Sequence, residues 1–138
     1  MAERKTLPNK ASVKDFIAGV KNDRRRRDST IVARMMAKAS GKRAKMWGPS
    51  IVGFGEHHYQ LANGKNVSIC KIGFSPRAQA LTFYLGNSPE RAKLLKKLGE
   101  HSMSDGGCLY IKSLEDVDTD VLQEMMAVAY HSDGSGSC

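Results

Sequence analysis

The chain has 138 residues and a mass of 15.1 kDa, with 41% hydrophobic and 26% charged side chains. That is the length of one domain with a core of its own, so no metal or disulfide staple is required; no apolar run approaches the roughly 18 residues of a membrane span. The net charge of +8 is concentrated, because residues 1–50 hold 14 Lys and Arg against 4 Asp and Glu, a net of +10, and the remaining 88 carry −2.

In chain order, residues 1–11 are polar and charged and read as a flexible arm, without the apolar centre of a secretory signal. Ser12 with Asp15 resembles a capping box, and Val13, Phe16, Ile17 and Val20 follow at i, i+3, i+4 and i+7, one face of a short helix. Asp23 is the expected N-cap of a second helix, whose buried stripe is Ile31, Val32, Met35, Met36 and Ala39 and whose stop is Ser40-Gly41. The period then changes. AKMW and SIVGFG read as strands joined at Gly48-Pro49, and Asn63-Gly64 within EHHYQLANGKNVSICKIGF signals a two-residue hairpin turn. ALTFYL is a further strand with Leu81, Phe83 and Leu85 toward one side. NSPERAKLLKKLGE is a helix with Ser88 as N-cap, Pro89 in first position and Leu94, Leu95 and Leu98 as its apolar face. CLYIK is the last strand, and a turn through SLEDVD leads to a helix carrying Val121, Leu122, Met125, Met126 and Ala129. Residues 132–138 are too polar and glycine-rich to pack and read as a disordered tail. Strands joined by short turns imply an antiparallel sheet packed against helices, so the class is single-domain α+β over residues 12–131.

Each motif has a bland reading and a sharper one. GPSIVGFG fits neither a Walker loop nor a dinucleotide loop, because its glycines flank β-branched and aromatic residues and a strand follows. Its glycines therefore serve a turn, a bend and close backbone approach, with Trp47 offering a flat apolar face and one N–H to a ligand groove. A two-residue hairpin turn would set His57 opposite Cys70, with Tyr59 and Ser68 on the same face and His58 on the other. Two ligands are too few for a metal, so core packing is the expected role there. Arg77, after the Ser-Pro turn, is a fork suited to a carboxylate or phosphate. The run Arg24, Arg25, Arg26 and Arg27 opposes the dipole of its own helix, so helix stability does not explain it; a solvated basic face or an anionic partner does. No nucleic-acid reader motif accompanies it, and no catalytic constellation appears: Ser50, His57 and Asp105 have no reason to converge. Cys70, Cys108 and Cys138 lack CxxC spacing, which suits reduced thiols in a cytoplasm.

MWGPSIVGFG, GFSPRAQALTFYL and CLYIKSLEDVDTDVL, in this order and spacing, resemble the YdhG-like family (DUF1801, domain of unknown function 1801), over about Ser12 to Tyr130. The resemblance implies a compact α+β domain in bacterial cytoplasm and no established reaction. It also implies, through relatives discussed as frataxin-like, a possible part in iron handling; no other cofactor is expected. The first helix suits iron badly, offering Asp15 alone amid Lys14, Lys21 and four arginines, while Glu115, Asp116, Asp118 and Asp120 cluster where they would cap the last helix. The expectation is a small cytoplasmic binding or accessory domain, not an enzyme, with a small-ligand groove near the MWGPS motif built from Trp47, Ser50, His58, Tyr59 and Arg77. The alternatives are frataxin-like iron binding, and nonspecific nucleic-acid binding through Arg24–Arg27. No membrane partner is expected, and the oligomeric state stays open.

Overall fold

A computed structural model describes residues 8–9, 11–48, 50–85, 89–103 and 108–131. The short helix α1 (Val13–Ala18) starts where Ser12 Oγ accepts the Asp15 amide at 3.1 Å, as its capping pattern predicts. Helix α2 (Asp23–Ser40) is capped one residue earlier than expected. Asn22 Oδ1 accepts the Arg25 amide at 2.9 Å, and Asp23 becomes the first helical residue, where its charge still suits the dipole. The helix ends at Gly41 as expected. Its buried stripe is rotated from the expected one, with Asp28, Ser29, Val32 and Met36 inside and Ile31 42% exposed. The cause is tertiary: Asp28 is drawn inward because its Oδ2 accepts the Leu114 amide at 3.1 Å.

The strands are β1 (Pro8–Asn9), β2 (Lys45–Trp47), β3 (Ile51–Phe54), β4 (His57–Gln60), β5 (Asn66–Ile69), β6 (Ile72–Pro76), β7 (Leu81–Tyr84), β8 (Ser102–Met103) and β9 (Leu109–Ile111). Between β7 and β8 lies α3 (Pro89–Leu98); a 3-10 turn (Leu114–Asp116) and α4 (Thr119–His131) follow β9. Among the described residues, seven strands form one antiparallel sheet in the order β1-β2-β3-β6-β7-β9-β8, and β4-β5 form a separate ribbon. The class is α+β in one domain, as expected. Pro8 and Asn9, within the expected N-terminal arm, pair with Trp47 and Met46. The Ser88 cap, the Pro49 turn residue and the tail lie outside the described residues.

The register assigns the two faces. Met46, Val52, Phe74, Phe83 and Leu109 stand opposite one another on β2, β3, β6, β7 and β9, and all are buried. Val32 and Met36 of α2 join them in one core with Leu122 and Met126 of α4, while α3 packs on α4. Gln123 Nε2 ties the two long helices by donating to the Met35 carbonyl at 2.8 Å.

The expected hairpin register does not hold. Asn63 keeps a negative φ, and only Gly64, at φ +86°, enters the left-handed region. A two-residue type I′ turn needs positive φ at both positions, so the chain makes a three-residue loop with a glycine bulge. Leu61 N–H donates to the Lys65 carbonyl at 2.8 Å, and Gly64 N–H to the Leu61 carbonyl at 2.9 Å. Every partner slips by one, so that His57 pairs with Ile69 and His58 with Ser68. The His57–Cys70 juxtaposition is thereby removed. The expected long second strand also splits at Cys70-Lys71, where β6 leaves the ribbon and rejoins β3.

Candidate functional site

The five residues expected to line one groove are not brought together. Trp47 is 1% exposed, at the β2–β3 turn, with its indole over Gly53. Ser50 is half-buried in that turn, and Arg77 is exposed just after β6, at the same end of the sheet, donating from Nη2 to the Tyr84 hydroxyl at 3.1 Å. His58 and Tyr59 lie in β4, which leaves the sheet from the opposite end of β3. The separation follows from the topology, because the β4-β5 ribbon is an excursion between the paired strands β3 and β6.

The arginine run divides in two. Arg25 points inward, its Nη1 donating to the carbonyls of Arg77 and, at 3.1 Å, Ala78, with Nη2 3.5 Å from the Lys112 carbonyl. Arg26 donates to the Val20 carbonyl at 2.7 Å and pairs with Asp23. Arg24 and Arg27 are exposed. Two of the four positive charges therefore belong to the fold, and a uniform four-arginine face does not exist.

A groove of about 870 Å³ lies between α1 and α2, closed below by Phe54. Its apolar floor comes from Val13 and Ile17 of α1, Ala33 and Ala37 of α2, and Ala44. Alanines at i and i+4 on one helix leave the space that longer side chains would fill. The rim carries Lys14, Arg27 and Arg34, all exposed, together with Arg26 and the Asp23 carboxylate it pairs with. Among the described residues, ion pairs join Arg26 to Asp23 and Lys45 to Glu56, and none involves those three cations. Sequence reading missed this site because it weighed the arginines as a run. Their helical spacing was the available signal: Arg27 and Arg34, seven apart, share one edge of the helix beside the alanine pair.

No protein-family model, curated protein or solved structure matches this chain. What it does must follow from its own residues, and the resemblance to YdhG-like proteins rests on the quoted motifs alone.

For metal chemistry, no three His, Cys, Asp or Glu side chains approach one another closely enough to hold an ion among the described residues. Asp118, in the acidic cluster, caps α4 by accepting the Asp120 and Val121 amides at 3.0 and 3.3 Å. Cys70 is a free thiol, buried against the sheet, and desolvation pushes its pKa up to about 12. Protonated at neutral pH, it is a poor nucleophile and a poor metal ligand. Cys108 is disulfide-bonded, which departs from the expectation of three reduced thiols.

Proposed function

We propose that this chain is a small cytoplasmic binding or accessory domain of the YdhG-like type whose α1–α2 groove receives an amphipathic organic anion, an acyl or aryl carboxylate. One observation carries the reading: an apolar cavity of about 870 Å³ is rimmed by three cations without ion-pair partners among the described residues. A cavity of that size and lining is the usual setting for a small ligand, with the charged rim fixing its orientation. The apolar body would displace water from Ile17, Ala37 and Phe54, while the carboxylate meets Lys14, Arg27 or Arg34. The compartment is proposed on the resemblance; the free Cys70 thiol accords with it and the Cys108 disulfide counts against it.

A chain-length series of straight-chain carboxylates, read by thermal shift, tests this. A ligand confined to the folded state raises the melting temperature with its concentration. The expected result is a saturable rise that grows with chain length and is lost in Ala37→Phe, which fills the groove. A rise unaffected by Ala37→Phe, or none at any chain length, rejects the groove as the site.

A second reading, nonspecific nucleic-acid binding, keeps support from Arg24 and Arg27, exposed on α2 with Arg34 and Lys38 on the same helix. It no longer draws on Arg25 or Arg26. The frataxin-like alternative has no ligand cluster among the described residues to build on.

A further inference from the structure

The sheet face away from the helices carries a different kind of site, with a buried hydroxyl at its centre. Thr82 is 3% exposed, and its Oγ1 has no hydrogen-bond partner among the described residues. The register sets Ser75, Thr82, Tyr110 and Ser102 opposite one another on β6, β7, β9 and β8, so four hydroxyl side chains form one row. Arg77 and Tyr84 stand diagonally across the Ser75–Thr82 pair, and their 3.1 Å hydrogen bond spans it. That accounts for the burial of Ser75, whose own hydroxyl is also unpartnered among the described residues.

Beside this pair lies a cavity of about 460 Å³ lined by Arg77, Thr82, Ser102, Tyr110 and Lys112. Its lining includes two cations and no carboxylate, and neither cation enters an ion pair among the described residues. A buried hydroxyl without a partner destabilises the unliganded fold, so its presence needs an explanation that packing does not supply. A guanidinium, an ammonium and hydroxyls converging from a sheet face and a strand end surround a volume instead of defining a plane. A tetrahedral oxyanion accepts hydrogen bonds in that arrangement, and arginine is the usual fork for it.

We propose that this corner binds a phosphate group, free or as a small monoester, with Arg77 and Lys112 neutralising it and Thr82 donating from beneath. Arg77 would exchange the Tyr84 hydroxyl for the anion, so the present hydrogen bond is the resting arrangement of the ligand's principal donor. The site shares no lining residue with the α1–α2 groove, and the two stand or fall separately.

Isothermal titration of the full chain with inorganic phosphate, glycerol 3-phosphate and succinate at matched ionic strength tests the proposal. Both phosphates are expected to bind and succinate not to; similar affinities would point to free phosphate, a tighter monoester to a phosphorylated metabolite. Arg77→Met and Lys112→Met should each weaken phosphate by about tenfold or more. Thr82→Val should raise the melting temperature of the unliganded protein yet weaken phosphate at least about threefold, a pair of effects that a purely structural threonine does not produce. Ala37→Phe should leave phosphate binding unchanged. Absence of saturable binding, equal binding of succinate, or full phosphate affinity in Thr82→Val would overturn the assignment.

Discussion

On the outer face of the sheet the Trp47 indole lies so close to Gly53 that a Cβ there would sit 2.4 Å from Trp47 Cδ1 and 2.6 Å from the Cβ of Cys70. Glycine is required because no side chain fits between the strand and the ring. MWGPSIVGFG is therefore a seat for an aromatic side chain, and its opening residues turn the strand. The same packing buries Cys70 and sets up a pH dependence. Its thiol ionises near 9.0 when unfolded and at about 12 when folded. A raised folded pKa means that the thiol's contribution is complete below pH 9 and is lost as pH climbs toward 12, at up to about 1.4 kcal/mol per pH unit. Cys70→Ala keeps the Cβ and removes the titration, so denaturant midpoints of the wild type should fall more steeply than the variant's between pH 9 and 11. Parallel curves would show that Cys70 is not desolvated.

Among the elements, α2 is placed by specific polar ties as much as by its apolar stripe. Val32 and Met36 bury it against the sheet, Asp28 holds the 3-10 turn, and Arg25 binds three carbonyls at the ends of β6 and β9. Replacing Arg25 with Met keeps the stem and removes the fork, leaving those carbonyls without their charged donor. A loss of about 2 kcal/mol is expected in chemical denaturation. Arg24→Met, on the exposed side, should change stability by no more than about 0.5 kcal/mol. Equal effects would refute the division of the run. This distinction was invisible in RRRR, since four identical letters carry no sign of which carbonyls stand within reach. By contrast, α1, α3 and α4 were legible, because their apolar spacing and the Ser12 and Pro89 start signals are local properties.

Across the whole molecule, α2 keeps exposed positive charge at Arg24, Arg27, Arg34 and Lys38 even after Arg25 and Arg26 are withdrawn from it. If nucleic acid is the partner, affinity for a short duplex should fall steeply with salt, and Arg24→Gln with Arg27→Gln should reduce the log–log slope by about 2. Failure to bind at low salt, or an unchanged slope in the double variant, would remove that reading. The two cavities sit on different sides of the architecture, one beneath α1 and α2 and one on the opposite sheet face, so a single fold can carry both.

The order and type of most elements, the α+β class and the stopping point of α2 were determined by the sequence alone, because periodicity, caps and turn residues act over a few neighbours. The slipped β4-β5 register was decided within its own turn, by the φ that Asn63 adopts. The seven-stranded order, the inward turn of Arg25 and the hydroxyl row at Thr82 were decided only by tertiary structure. Each depends on contacts between residues tens of positions apart, and local propensity carries no record of which partner a strand, a guanidinium or a hydroxyl will meet.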